Sequence, residues 1–553
     1  PVLTCPANQT ITTSNNGTMD CTGGYTIADP VSDNCTGATW GYAGVGATTL
    51  SMSGIADGTG SGLLSFSKGL TTVTLSATDG ANTATSCAFT VLVNDDEMPM
   101  AVCAPSITVT LTGGTASITT TQVNNGSSDN CTAPGDLTLS LNTTTLTCAD
   151  IAAASPTVVA YSGTITTGNQ TYTENLGMVF TVVSPIKVTA LGAFDDGQNG
   201  LSRPIQVGIV READGMVVAG PITMNGAFDP LEANHRMRDI APIMLPAGVY
   251  HIVALGYGAG EQNGNGNPSG PFTTTNGNGG LITFTGSSYG GTSFGLPASA
   301  FGIPNVFHAG TFKYRSAAAS SVNVTLTVND NNGNMATCMS AVTVVDNTPP
   351  TITTCPTGPI GRDVDPDKCY ASDVELSTAV ASDNCGPVRL VYSPASGSIF
   401  PVGTTTVTVT AYDYSCNSNT SACTFNVIVT DNLVPVITCP ANTTITANTN
   451  QDIAGDCATT VSGTDRMATD NCPSFTMAYA LTGATTASGS GQVPVGQLFS
   501  KGTTVVTYTA TDAAGRTATC TFSITVLDNT NPTIICPAPI STPATNANCS
   551  ATI

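Results

Sequence analysis

One pattern recurs four times along this chain and leaves few ways to fold it. In its fullest form it runs from Phe499 to Pro532, where Val506, Tyr508 and Ala510 stand at alternate positions before Asp512. Val73, Leu75 and Ala77 precede Asp79 in the same way, as do Val324, Leu326 and Val328 before Asp330, and Val407, Val409 and Ala411 before Asp413. Thr or Ser mostly fills the places between, so each copy predicts a strand with one face in a core and one in water. A turn rich in Gly, Asn and Ser follows, and then a second alternating strand that opens at Cys87, Cys338, Cys423 or Cys520. Two such strands joined by a short loop predict a hairpin. The second strand runs into Asp-Asp or Asp-Asn and then a proline, which cannot donate to a ladder and so starts a new module.

Composition narrows the class. A chain of 553 residues is too long for one core. Only 9% of residues are charged, and no stretch keeps a helical period, so the fold class is all-β with many turns. With 36 acidic and 14 basic residues the net charge is -22. Nucleic acid and anionic membrane are repelled, which leaves neutral glycans, proteins and cations as partners. Nineteen cysteines at recurring positions predict an oxidising, extracellular setting. The long uncharged stretch 240–260 contains Pro242, Pro246 and His251, and reads as two strands around a turn at Leu245-Pro246-Ala247-Gly248 rather than as membrane insertion. No targeting signal stands at either end, and the chain reads as an internal piece of a longer secreted protein.

The repeat divides the chain into modules at 1–97, 98–151 with 317–348, 349–433 and 434–530, with a truncated fifth starting at 531–553. In module one the polar run Thr12 to Gly17 predicts an opening hairpin in which Cys5 faces Cys21, leaving Cys35 for Cys87. The same scheme pairs Cys355 with Cys369, Cys385 with Cys423, Cys439 with Cys457, Cys472 with Cys520 and Cys536 with Cys549. Module two lacks the usual second cysteine and offers Cys148, giving Cys103 with Cys148 and Cys131 with Cys338. Cys416 is left unpaired. In module two the strand before Asp330 arrives only at Ser321, so 152–316 is an insertion.

Four Cys-Pro openings (at Cys5, Cys355, Cys439 and Cys536), four Asp-Asn-Cys triplets (ending at Cys35, Cys131, Cys385 and Cys472), the Phe400-Pro401-Val402-Gly403 turn and closing Cys-x-Phe strands resemble the hyalin repeat. That repeat is an immunoglobulin-like β-sandwich of extracellular adhesion proteins. The resemblance covers all but about 165 residues, and implies tandem immunoglobulin-like β-sandwiches, adhesion or scaffolding, and no catalysis. The insert holds all three histidines and no cysteine. Its runs Asn175 to Gly200 and Leu245 to Tyr250 are similar to a jelly-roll domain of uncertain function in secreted bacterial proteins, which implies an inserted jelly-roll β-sandwich and a bacterial source.

Candidate sites are few. The junction residues Asp95, Asp96, Asp346, Asp431 and Asp528 stand just before prolines, and oxygen-rich linkers between β-sandwiches are where calcium stiffens cadherin-like arrays. The competing reading is that Asp and Asn make good turns. Asp195, Asp196 and Asn199 form the densest group of oxygen ligands in the insert, a second calcium candidate. Trp40, Tyr257, Tyr289 and Phe294 are candidates for stacking on a sugar, with core packing as the alternative. His235, His251 and His308 show no metal-ligand spacing, and no nucleophile elbow or zinc-protease motif is present. The chain therefore reads as a segment of a large bacterial surface adhesin or homo-oligomeric fibre. The rival readings are a non-catalytic part of an extracellular glycan-degrading enzyme and a purely structural filament subunit.

Overall fold

A computed structural model describes residues 1–82, 86–154, 156–163, 165–266, 273–274, 280–304, 306–318, 321–413, 420–447, 457–529, 531 and 534–543. The chain divides into two compact units, one of Pro1–Cys355, Thr378–Ser393 and Val409–Cys423, the other of Pro356–Ser377, Pro394–Thr408 and Thr424–Ile553. Both are almost entirely β-structure, as tandem sandwiches require.

In the first unit, module one carries a sheet in the order Gln9–Thr12, Cys87–Asn94, Gly69–Thr78, Thr39–Gly46, Leu50–Ala56. The repeat's alternation is realised along Gly69–Thr78, where Val73, Leu75 and Ala77 are buried and Thr72, Thr74 and Ser76 are exposed. Each such aliphatic chain contributes about 1.5–3 kcal/mol by leaving water. A second layer, Thr22–Thr26 paired with Leu63–Ser67, brings Phe66 over this face. Trp40 is buried in the same core, its Nε1 donating to the main-chain oxygen of Thr59, so it is no sugar platform.

The first strand decides the cysteine chemistry. Gln9–Thr12 runs parallel to Cys87–Asn94 with Gln9 opposite Val91, and makes no opening hairpin. The 82-residue offset of that register also separates Cys5 from Cys87, which are disulfide-bonded. Module two repeats the device. Ser106–Thr110 lies parallel to Met335–Val345, and Cys103 is bonded to Cys338 across 235 residues. Thr138–Leu141 pairs with the end of Ser321–Asn329, so one sheet is completed from both sides of the insertion.

The insert folds as two facing sheets. One has five strands in the order Val158–Val159, Gly310–Ser316, Ile186–Phe194, His235–Leu245, Leu231–Glu232. The other has six, Val217–Gly226, Leu201–Arg211, Gly248–Leu255, Leu176–Val182, Ile282–Tyr289 and Ser299–Phe301. Phe180, Phe312, Tyr314 and Ile252 fill the space between them. Leu245 and Gly248 end and begin successive strands, as the turn signal predicts. Val158 pairs with Tyr314, so the first and last strands are neighbours.

In the second unit, module four has the order Thr443–Ala447, Thr517–Asp528, Gly502–Asp512, Phe475–Gly483, Ala487–Ser490. Its first strand again runs parallel to its last, and Cys439 is bonded to Cys520 at the same 81-residue offset as Thr443 and Ile524. Ile360–Asp363 runs parallel to residues 427–430. Cys355–Cys423 belongs to the first unit and follows the same scheme.

These bonds overturn the expected pairing. Among the described residues none of the nine expected pairs is formed, because a parallel first strand carries the Cys-Pro cysteine to the last strand. The second cysteine is carried on to the far end of its module, and meets the Asp-Asn-Cys triplet of the next. Cys21 is bonded to Cys131, Cys148 to Cys385 and Cys369 to Cys472. Modules are therefore stapled to one another as well as internally. Cys35, Cys457 and Cys536 are without a disulfide, while Cys416 and Cys549 lie outside the described residues. In the truncated fifth module Ile534, Ile535 and Ile540 are exposed.

Candidate cation sites at the module junctions

Each module junction has aspartates at three recurring sequence positions. The last strand of one module ends in the first (Asp95, Asp346, Asp431). The Asp-Asn-Cys triplet of the next module supplies the second (Asp129, Asp383, Asp470). The third ends that module's penultimate strand (Asp330, Asp413, Asp512). The inter-module disulfide fixes the triplet by its cysteine, and in each triplet the cysteine N–H donates back to the triplet aspartate.

At the middle junction one oxygen from each of Asp346, Asp383 and Asp413 lies within 4.8 Å of the others. Asp346 is 0% and Asp413 2% exposed. Asn384 Nδ2 donates to Asp346 Oδ1 at 3.2 Å. Burial, together with the charges of Asp413 and Asp346, raises the pKa of Asp383. In the second unit Asp470 is raised likewise, by burial and then by Asp431 and Asp512. Asp512 is 6% exposed and its Oδ2 has no hydrogen-bond partner. Asn471 Nδ2 donates to Asp431 Oδ1 at 3.2 Å, and Arg516 donates through Nε to the main-chain oxygen of Asp431.

The first junction is built differently. Lys68 Nζ sits 3.3 Å from Asp95 Oδ2, and Asn332 and Asn334 reach over from the Asp330 turn to Asp95. Cys131, beside Asp95 and Asp129, is locked in its disulfide and is no thiolate ligand. Lys501 takes the place of Lys68 in module four, with Nζ 2.9 Å from Asp528 Oδ2. In module three that place is held by Val402. The equivalence is structural, since the N–H groups of Lys68, Val402 and Lys501 donate to the carbonyls of Cys21, Cys369 and Cys457 respectively.

Of the five junction aspartates singled out by sequence, Asp346 therefore stands in a carboxylate cluster and Asp431 is held by Asn471 and Arg516, while Asp95 and Asp528 are paired with lysine. Asp96 instead holds the turn after the first strand, accepting from Ser14 N at 3.0 Å and Ser14 Oγ at 2.7 Å, bonds that lower its pKa. Sequence reasoning did not single out the triplet and strand-end aspartates, because the triplets serve it as marks of the repeat and the strand-end aspartates as the start of a turn.

The insert's acidic group is occupied by the fold itself. Asp195 is fully buried against Arg236, 2.6 Å from its Nε, and accepts from the N–H of Gly200. Asp196 accepts from the N–H groups of Gly168 and Gln262. Asp195, Asp196 and Asn199 are not brought into a metal cluster among the described residues. Tyr257 is buried and donates to the carbonyls of Phe194 and Ala309, which removes it as a stacking platform. Phe294 packs over Gly208. Tyr289 stays partly exposed and, with Tyr172, Phe307 and Val306, lines a shallow recess of about 230 Å³. Burial lowers the pKa of His235 to about 4 and that of His308 further. His251 Nδ1 lies 2.9 Å from Ser288 Oγ, and its Nε2 lies 3.9 Å from Glu212. Ser288 is fully buried, so this serine offers a substrate no nucleophile.

Residues 345–429 and 430–526 match the HYR domain family model. The chain is similar to "Hyalin" of Lytechinus variegatus, 35% identical over 223 residues, or 38% of this chain and 38% of the relative. It is also similar to "Hyalin" of Strongylocentrotus purpuratus, 35% identical over 221 residues, or 39% of this chain and 17% of the relative. The match thus spans less than two fifths of either relative. Among solved structures, protocadherin gamma B2 domains 1–5 align with 95% of this chain and 80% of that one at 10% identity, with a TM-score of 0.21. Drosophila N-cadherin EC1-3 aligns with 38% and 77% at 14% identity, with a TM-score of 0.15. Likenesses this weak carry no fold assignment. The family and hyalin matches support a HYR repeat array, of a kind that is extracellular, and seven disulfides agree with a secreted or cell-surface protein.

Proposed function

We propose that this chain is a load-bearing segment of a large secreted adhesin or surface fibre, in which HYR-type repeats form a covalently continued scaffold and attach to cells or surfaces. One observation carries the reading, the three disulfides that tie each module to the next. A module needs no bond to its neighbour in order to fold, but a scaffold under tension gains from one. Pulling on the termini would meet cross-links at every junction before strands separate. The insert supplies the surface that differs from the repeat, with the recess at Tyr289 as its opening for a ligand. The bacterial source rests on the insert's resemblance alone, since the matched relatives are sea urchin proteins.

The test is single-molecule extension of the oxidised and the reduced chain. The oxidised chain should release only the short segments outside the cross-linked loops, and reduction should multiply the released length. Equal release in both states would refute a load-bearing role. Attachment is read separately, by retention of cells or particles on surfaces coated with the chain. No retention above an uncoated surface favours the purely structural filament.

A further inference from the structure

We propose that the recess at Tyr289 binds one neutral pyranose ring, the end residue of an uncharged glycan, which gives the attachment role of the insert a class of ligand. The recess comes from an irregular ladder. Phe284 stands opposite Phe180 but Gly286 stands opposite Val179, so Thr285 is an extra residue between them. A bulge of this kind re-aims the side chains beyond it. Tyr289 comes to stand opposite Leu176, a core residue, where unbroken alternation would have put Ser288. The core therefore ends in an aromatic mouth. Tyr289 is 40% exposed, and its ring lies 6.5 Å from that of Tyr172 at 75° and 6.4 Å from that of Phe307 at 65°. Leu176 and Val306 make the floor, and both are buried members of the core cluster.

Two carboxamides border this mouth. Gln170 Oε1 accepts from Asn263 Nδ2 at 2.9 Å, which leaves the amide nitrogen of Gln170 to donate. Asn265 is held through its main chain, its N–H donating to Asn169 Oδ1 and its carbonyl accepting from Asn169 Nδ2. Its side-chain amide makes no hydrogen bond among the described residues. A pyranose has a face of C–H groups and an edge of hydroxyls, so the face suits the tyrosine rings and the edge suits the carboxamides. A wholly apolar ligand would cover those amides and leave them unpaired, which is costly. Volume limits the size of the ligand, since about 230 Å³ lies below the roughly 300–1,000 Å³ of drug-sized sites. One ring fits. Charge limits its kind, because Glu174 Oε2 accepts from the Tyr172 hydroxyl at 3.1 Å and from the Gly291 N–H at 3.2 Å. A carboxylate thus stands beside the mouth, in a chain whose net charge is already -22, and uronic, sialic and sulfated sugars are repelled.

This inference rests on the insert being the attachment surface, yet the two fail separately. Saturation-transfer NMR of the oxidised full chain with the methyl glycosides of glucose, galactose, mannose and N-acetylglucosamine should find a binder. For so small a ligand its Kd should be on the order of 1 mM. Tyr289→Ala should weaken it roughly tenfold through loss of the stacked ring, while Tyr289→Phe keeps the ring and should bind within a few-fold of the wild type. The non-reducing peptide map should be the same for all three chains. The proposal is overturned if none of the four glycosides binds at about 20 mM, if Tyr289→Ala binds as well as the wild type, or if methyl glucuronide binds more tightly than every neutral glycoside. A chain that retains cells but binds none of the four overturns this inference alone. A chain that binds one but retains no cells supports it and removes the adhesive role.

Discussion

Removing the bond between Cys369 and Cys472 tests the linkage scheme most directly. The perturbation is the double substitution of both to serine, which leaves no stray thiol. In the denatured chain the bond closes a loop of 103 residues, and in the chain-entropy model a loop near 100 residues is worth about 4.7 kcal/mol at 25 °C. Cys355–Cys423 and Cys439–Cys520 shorten the effective loop, and if module four unfolds alone the loop runs only from the junction to Cys472. Loop length enters as a logarithm, so both corrections leave about 4 kcal/mol. At about 4–8 °C per kcal/mol for a domain of this size, the affected transition should fall by roughly 15–30 °C. Differential scanning calorimetry of oxidised wild type and variant reads the shift, and a non-reducing peptide map reads the bonds. A map that links Cys355 to Cys369, or a transition that stays within a few degrees, would refute the scheme.

Phe499→Ala, at a fully buried side chain of module four, should cost about 3–5 kcal/mol, seen as a lower melting temperature for that module. Excision of 156–316 with a short Gly-Ser bridge should leave Cys103–Cys338 intact on a peptide map, since the first and last strands of the insert are neighbours. In chelator the raised pKa of Asp383 means that its folded form holds the proton more tightly than the unfolded form. Its ionisation therefore costs stability as pH rises from the unfolded value through the folded one. Asp383→Asn should accordingly be neutral or stabilising in chelator at pH 7, and denaturant titration at pH 4 and pH 7 checks the sign. For His235 the folded pKa lies near 4 and the unfolded one near 6.5. Stability of the insert should be complete above pH 6.5 and be lost as pH falls towards 4, followed by NMR titration of the imidazole.

The strands were legible because alternation is a local property, and Val73, Leu75 and Ala77 point inward wherever their neighbours lie. The pairing of cysteines was not, because alternation does not say whether the next strand joins the same sheet. Gln9–Thr12 passes its neighbour and joins the last strand in parallel, which moves Cys5 from Cys21 to Cys87. A signal was available in the two complete modules without insertion or shortening, since the spacing from the Cys-Pro cysteine to the cysteine of the last strand is 82 residues in module one and 81 in module four, against 68 in module three. Of the carboxylate cluster only Asp346, the aspartate before the proline, was foreseen. Asp383 and Asp413 lie far apart in sequence from Asp346, and only the inter-module bond at Cys385 reveals that they converge.

Bonds between modules also set a timetable for oxidation. During synthesis at about 5–20 residues per second, Cys21 must wait for Cys131, 110 residues later, on the order of 5–20 s. Cys148 must wait for Cys385 across 237 residues, most of them belonging to the insert, or roughly 10–50 s. Throughout that interval a thiol stands ready while nearer cysteines offer wrong partners, Cys5 for Cys21 and Cys131 for Cys148. Correct assembly therefore depends on the early parallel strand, which occupies Cys5 with Cys87 and Cys103 with Cys338, and on disulfide exchange that can undo a premature local bond. Each completed module carries one reduced cysteine forward, so the chain matures from its beginning towards its end, with the longest delay where the insert interrupts the repeat.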